Sequence, residues 1–328
     1  MKNFDYLSVE SAREAVAALA ERPAGSAKII AGGTDLLTLM KAGLAEPQQL
    51  ISIRRAGELH QMRFDADGTL HLGALTTLAD IERDTQIAEL LPILRDAVRD
   101  AASPQLRAMA TIGGNLLQNV RCWYYRGQYR CWLKGGENCY ARGGENKYHA
   151  IVDLSPCVAV HPSDVAPALV ALDAQIKIEG PQPRTVAVAE FLQPPAPDRR
   201  SDHTLGQGEV ITEISIPGQP AGAHGVYLKA MDRHAWSFAL GSAAAQVAVA
   251  DGRFTHVRLA LGAIANVPVR AHDVEDALSG QDATREAVMQ ATENMMEKAT
   301  PLAHNSYKVR LSRELARRAL LQAARIND

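Results

Sequence analysis

Four cysteines, Cys122, Cys131, Cys139 and Cys157, fall inside one 36-residue stretch, and the chain has no others. Eight, seven and seventeen residues separate them, unlike the paired C-x₂-C spacing of zinc modules. An irregular loop can still bring four thiolates around a [4Fe–4S] cluster. Trp123, Tyr124, Tyr125, Tyr129 and Trp132 stand between them as residues able to shield a cluster from water. Arg121, Arg126, Arg130, Lys134, Arg142 and Lys147 are able to offset its negative charge. A structural zinc and a scatter of unliganded thiols are the alternatives. His149 and His161 read as hydrogen-bonding groups of a surface loop and stay outside the metal set.

Two glycine turns are the second chemical signal: Ala31-Gly32-Gly33-Thr34-Asp35 and Thr111-Ile112-Gly113-Gly114-Asn115. Glycine lets a backbone approach a ligand closely and point successive N–H groups at an anion such as a pyrophosphate. Neither turn is a G-x-G-x-x-G fingerprint or a P-loop, and a single Gly-Gly is more often an ordinary turn. Two of them, each followed by a polar side chain, weaken that bland reading. In His161-Pro162-Ser163-Asp164 the first reading is a helix N-cap at Ser163 or Asp164. No nucleophile–base pair and no convincing carboxylate pair is present, so any catalysis belongs to a cofactor.

The elements that must carry these residues alternate between helix and strand. Ser11-Ala12-Arg13-Glu14 predicts a capping box, with Ala12, Val16 and Leu19 on one apolar helix face. Strands are expected at 27–30, 49–53 and 70–75, and helices at 78–84 and 91–102, the latter stopped by Ser103-Pro104. The runs 168–179 and 209–216 alternate like strands, and 193–208 reads as a surface loop. A meander follows over 227–231, 238–250 and 254–263, with Asp251-Gly252 as its hairpin turn. Two helices close the chain, 283–298 and 306–324, the second with Tyr307, Leu311, Leu315 and Ala319 on one stripe.

At 328 residues and 47% hydrophobic content the chain can bury a full core in two or three domains. A net charge of -2 gives no footing for nucleic acid. The longest apolar stretch, 238–250, carries Ser242 and Gln246 and is too short for a membrane span. Met1-Lys2-Asn3-Phe4-Asp5 lacks the apolar region of a signal peptide, so the expected compartment is the cytoplasm. Cysteines in a chain without such a signal favour a metal or cluster over disulfides.

Taken together, Ala31 to Leu37, Thr111-Ile112-Gly113-Gly114-Asn115-Leu116, His161-Pro162-Ser163-Asp164 and His304-Asn305-Ser306-Tyr307-Lys308 resemble the FAD-binding medium subunits of the molybdenum hydroxylases, the xanthine dehydrogenase family. The resemblance spans the whole chain. It is closest to the branch of aldehyde oxidoreductase and 4-hydroxybenzoyl-CoA reductase flavin subunits that carry an extra [4Fe–4S] loop. It implies an α+β chain with an FAD-binding fold of the vanillyl-alcohol oxidase (PCMH) type over 1–220. That part would divide into subdomains at about 1–55 and 56–220, with the cluster loop inserted at about 120–160. A CO-dehydrogenase-flavoprotein-like α+β domain would occupy 221–328.

The resemblance also implies site residues. Lys28, Ile29, Ile30, Ala31, Gly32, Gly33, Thr34, Asp35 and Leu36 would wrap the FAD pyrophosphate. Thr111, Gly113, Gly114 and Asn115, with Gln118, would contact phosphate and ribityl; Asp164, Ile211 and Lys229 would line the flavin. Cys122, Cys131, Cys139 and Cys157 would ligate the cluster. The implied partners are a molybdopterin-containing large subunit, a small subunit with two [2Fe–2S] clusters and an external electron acceptor. Electron flow in either direction fits, and co-export with a partner would place the chain in the periplasm. A self-contained flavin oxidase and a non-redox protein with a structural zinc are the rival readings.

Overall fold

The computed structural model describes residues 1–233 and 236–326. Its strands make three sheets. β1 (Asp5–Ser8), β2 (Ala27–Ile30) and β3 (Gln49–Ser52) form a parallel sheet in the order β1-β3-β2, with Gln49 opposite both Asp5 and Ala27. Parallel neighbours need a crossover, and helix Ala12–Ala20 supplies it between β1 and β2. Ser11 caps that helix by accepting from the Glu14 N–H. The reciprocal half of the expected box is displaced, because the Glu14 carboxylate accepts from Glu10 N–H rather than from Ser11. Both halves of a capping box occur instead at Thr77 and Asp80, opening helix Leu78–Arg83.

The second sheet contains β4 (Met62–Phe64), β5 (Leu70–Gly73), β6 (Gln175–Glu179), β7 (Arg184–Ala187) and β8 (Val210–Ile216), all antiparallel, in the order β4-β5-β8-β6-β7. The sequence leaves this sheet between β5 and β6 for about a hundred residues, and both the second glycine turn and the cysteine loop lie in that excursion. The third sheet is an antiparallel meander of β9 (His224–Ala230), β10 (Gly241–Ala250), β11 (Arg253–Gly262) and β12 (Val269–Arg270). Asp251 and Gly252 both have positive φ, as the expected two-residue hairpin requires. Helix Tyr307–Ala323 packs across β9 and β10.

Several expectations are corrected. Residues 168–171 are not strand but the end of helix Val165–Ala171, in which every residue is buried. An apolar run buried on all sides has no periodicity to separate helix from strand, and Asp173, with φ at 52°, breaks the chain before β6 begins. The expected helix 283–298 is regular only over Arg285–Ala291, capped by Thr284. On the last helix the buried face is turned by one residue: Lys308, Ser312, Ala316, Ala319, Leu320 and Ala323 point inward, while Tyr307, Leu311 and Leu315 are half-buried. A lysine at the head of the buried stripe hides that face from a hydrophobicity reading.

Candidate functional site

A cavity of about 1270 Å³ opens where the first sheet, the second glycine turn and the start of the meander meet. One wall is the complete run Lys28 to Leu36; a second carries Thr111, Gly113, Gly114, Asn115 and Gln118; Asp164 and Ile211 close the back. The structure therefore brings together every residue that the resemblance implies for the flavin side except Lys229, which stands behind the wall.

The two turns hold their shape by different means. Gly32 sits against another backbone: a Cβ there would lie 1.7 Å from the Met109 carbonyl oxygen. Gly33 has φ +72°, the left-handed region that glycine adopts without strain. Among the described residues, the backbone N–H groups of Gly32, Gly33, Thr34 and Asp35 donate to nothing within the chain, so four consecutive donors stand on the cavity wall. Such a run of unpaired donors is chemically matched to a pyrophosphate. At the second turn the donors are already used: Gly113 N–H donates to Ala74 O at 3.1 Å and Gly114 N–H to Thr111 Oγ1 at 3.2 Å. That turn is a folded support whose surface lines the cavity, not a second nest of free amides.

Asp35 does not face the cavity alone. Its carboxylate accepts from Arg121 Nη1 at 2.7 Å, Arg126 Nη2 at 2.9 Å and the Asn119 N–H at 2.8 Å. Burial raises its pKa, but Arg121, the Asn119 N–H and Arg126 outweigh burial and hold the carboxyl below its ordinary range. These three partners all precede or begin the cysteine loop, so Asp35 ties that loop to the first glycine turn. Asp164 is likewise engaged, accepting from Tyr227 at 3.0 Å and from Lys229 at 2.8 Å, while Lys229 also donates to Asp100 O. Of the two residues expected to cap the helix, Ser163 does so: its hydroxyl accepts from Ala166 N–H and donates to Asn115 Oδ1.

The segment 193–208 is expected on a surface loop, yet Ser201, His203 and 205–208 line the cavity. Gly206 and Gly208 were the signal that could have marked this wall. Arg121, Tyr125, Trp236 and Phe238 also line it, with Arg121 over the Phe238 ring at 5.0 Å. His161 is buried rather than on the surface; its Nδ1 accepts from Ser163 N–H, and its Nε2 lies 3.9 Å from Asp202 Oδ2. Burial lowers His161 and His203 to about 4 and pushes Asp202 up to about 7.

The four cysteines lie on a loop with little regular structure, Cys131 and Cys157 buried and Cys122 and Cys139 half-buried. The Cys139 and Cys157 side chains act on one another in opposite directions, favouring a thiolate on Cys139 and disfavouring one on Cys157. Burial pushes Cys122 up to about 11, and the nearby charges of Cys139 and Cys131 act in the same direction. His149, buried and not on the surface as expected, places Nε2 at 3.2 Å from Cys122 Sγ. Among the described residues, no group of three or more His, Cys, Asp or Glu side chains is arranged to hold a metal ion.

The basic residues expected to neutralise a cluster mostly have other partners. Arg121 and Arg126 hold Asp35, Lys134 donates to Gly127 O, Arg142 clasps Asp153 and the carbonyls of Ser155 and Pro156, and Lys147 pairs with Asp232. The aromatic expectation divides: Trp123, Tyr124 and Tyr129 pack with Tyr140, Tyr148 and His149, whereas Trp132 lies under Arg200 and Tyr125 lines the large cavity.

This cavity and fold define a class. Residues 2–219 match the family model of the FAD binding domain in molybdopterin dehydrogenase, and residues 226–323 that of the CO dehydrogenase flavoprotein C-terminal domain. The chain belongs to the FAD-binding medium subunits of the molybdenum hydroxylases, and as such is an oxidoreductase subunit. It is 34% identical to the aldehyde oxidoreductase FAD-binding subunit PaoB of Escherichia coli (strain K12), over 98% of this chain and 99% of that one. Its fold matches the carbon monoxide dehydrogenase from Hydrogenophaga pseudoflava with a TM-score of 0.78 at 27% identity, covering 98% and 97% of the two chains. Quinoline 2-oxidoreductase from Pseudomonas putida 86 matches with a TM-score of 0.76 at 25% identity, covering 99% of both. The α+β fold implied by the resemblance is thus the fold the chain has. Among the described residues no helix is long and apolar enough to cross a membrane.

Proposed function

We propose that this chain is the electron-transfer subunit of a molybdenum hydroxylase complex, holding FAD in the large cavity and a [4Fe–4S] cluster on Cys122, Cys131, Cys139 and Cys157. The observation that carries the reading is Asp35. It joins a run of free backbone donors suited to a pyrophosphate to the loop that carries all four cysteines of the chain. When bound, the flavin supplies exchange between two-electron and one-electron chemistry, and the cluster supplies a one-electron site.

The residues of this chain have definite parts in that arrangement. Gly32 to Asp35 offer N–H groups to the pyrophosphate, with Lys28 to Ala31 and Leu36 completing the wall. Thr111, Gly113, Gly114 and Asn115 form a rigid support, and Gln118, donating to Asn115 O, fixes its far side. Lys229 holds Asp164 at the back of the cavity next to Ile211. Trp132, packed with Val120, Cys157 and Ala159, limits water at the thiols.

The division of labour places the FAD-binding part at 1–220, with subdomains at about 1–55 and 56–220, and the C-terminal part at 221–328. The partners are a molybdopterin-containing large subunit, a small subunit with two [2Fe–2S] clusters and an external acceptor, with the compartment cytoplasmic or periplasmic by co-export. Analysis of the purified chain tests the reading. The expected result is one FAD with about four irons and four acid-labile sulfides. Cys131→Ser should remove the cluster's paramagnetic resonance signal and keep the flavin absorption. One zinc without labile sulfide, or flavin reduction by aldehydes in the isolated chain, would end this reading in favour of a structural metal or a self-contained oxidase.

A further inference from the structure

A second cavity, of about 80 Å³, lies against the large one, and Asn119, Tyr125, Ser201 and His203 line both. Asp202, Arg200, Cys157 and Asn266 line the smaller one alone. Three polar atoms at this place have no hydrogen-bond partner among the described residues: Asp202 Oδ2, Asn266 Oδ1 and His161 Nε2. Asn266 and His161 are only 2% and 3% exposed. His161 Nε2 stands 3.9 Å from Asp202 Oδ2, too far for a direct hydrogen bond. Its Nδ1 accepts from Ser163 N–H, so the ring proton belongs on Nε2. Asn266 spends its Nδ2 on the carbonyls of Cys157 and Ala159, which leaves its oxygen as a fixed acceptor.

One N–H donor, one amide oxygen and one carboxyl oxygen are the complement of water, which both accepts and donates. The cavity exceeds the share of about 30 Å³ that a water takes in the liquid. Among the described residues no lysine or arginine pairs with the Asp202 carboxylate. Arg199 donates to the carbonyls of Gln193, Pro194, Ser201 and His203, and Arg200 to those of Trp132 and Gly136. The other titratable groups around Asp202 are His161, His203, Tyr125 and Cys157, and burial holds both histidines at about 4 and therefore neutral. At Asp202 burial outweighs its own backbone N–H and Arg199, so the carboxyl keeps its proton up to about pH 7.

We propose that the small cavity is a hydrated proton store for the large one: Asp202 holds a proton, and water bound between His161, Asp202 and Asn266 carries it to the polar wall of Asn119, Tyr125, Ser201 and His203. The inference rests on the reading that the large cavity holds FAD. Full reduction of a flavin to its anionic hydroquinone takes up two electrons and one proton. The electrons come from the iron–sulfur small subunit or from a chemical reductant, and neither brings the proton. Asp202 supplies it: its O–H bond breaks, the bonding pair stays on the carboxylate, and the proton passes through the water to the large cavity. Reoxidation returns one proton along the same atoms, which restores the carboxylic acid.

The test is infrared difference spectroscopy of the full chain loaded with FAD, oxidised against dithionite-reduced, in light and in heavy water. The buffer is held below about pH 7, where Asp202 is protonated, and flavin absorption is followed in the same cell. Reduction should remove the carbonyl stretch of one protonated carboxylic acid in step with the bleaching of the flavin, and that band should shift in heavy water. Asp202→Asn should lose the band, and Asp202→Glu should move it to a new position, which assigns it even where the asparagine variant binds no flavin. Reduction of the flavin without loss of a carboxylic acid band overturns the inference and leaves the FAD reading standing. So does a band that stays in place in Asp202→Glu or persists in Asp202→Asn. An unaltered chain that binds no FAD overturns both.

Discussion

The large cavity and the cysteine loop share the bridge at Asp35 but are held in opposite ways. The cavity wall at Gly32 and Gly33 continues directly from β2, whose register against β3 is fixed by backbone pairing. The cysteine loop has only the short helices Trp123–Arg126 and Trp132–Lys134, and its course is set by side chains reaching carbonyls from elsewhere. Arg200 reaches the carbonyls of Trp132 and Gly136, Asn266 those of Cys157 and Ala159, and Asn305 those of His149 and Ala150. A site built on strand backbone needs small residues at its own positions, whereas a site built on a loop needs large polar residues at distant ones.

The largest expected break in this comparison is at Gly32. Its Cβ would collide with backbone, not with a flexible side chain, so Gly32→Val must displace either the turn or residue 109. Flavin affinity should fall by about a hundredfold, or about 2.7 kcal/mol, while iron content stays at its normal level. Flavin absorption and iron analysis of the same preparation check both halves. Gly33→Val acts through its positive φ and contacts with Leu37 and Ile30, so its effect should be smaller.

Acid separates the regions less sharply. His203, on the cavity wall, is held at about 4, below its ordinary value of 6.5. The unfolded chain therefore takes up a proton that the folded chain does not, and stability is lost as pH falls from about 6.5 to about 4. That loss amounts to about 3 kcal/mol, and His203→Gln should remove it from the pH dependence of the denaturant midpoint. Asp202, pushed up to about 7, has the opposite sign: it holds its proton when folded and favours folding as pH falls from about 7 towards 3.8. Asp202→Asn should accordingly steepen the loss in acid, and a profile unaltered by either variant would contradict both assignments.

Asp35 tests whether the two regions are coupled. Asp35→Ala leaves Arg121 and Arg126 without their shared carboxylate, and because the pairs are partly exposed the cost should be about 2 kcal/mol, below the penalty for a fully buried pair. Both FAD retention and iron retention should decline together. If only one declines, the two sites are adjacent but independent. Because the carboxyl is held below its ordinary range, this coupling persists through mild acid and is lost only as pH falls through that lowered value.

The sequence by itself determined the local facts: the glycine turns, the strand at 27–30, the Asp251-Gly252 hairpin and the clustering of the cysteines. Each of these is carried by residues close together in the chain, and turn chemistry, glycine permissiveness and periodicity act at that range. Sixteen of the seventeen flavin-side residues reach the cavity because they were drawn from such segments. Tertiary structure alone decided which of the glycine amides remain free, since Gly113 and Gly114 lose theirs to Ala74 and Thr111. It also decided that the 201–210 segment is a wall, that Asp35 ties the first glycine turn to the cysteine loop, and that Lys308 faces inward on an otherwise small and apolar stripe. The physical reason is common to all four: a polar group's partner is chosen by folding, across separations of up to 160 residues, and no local pattern records that choice.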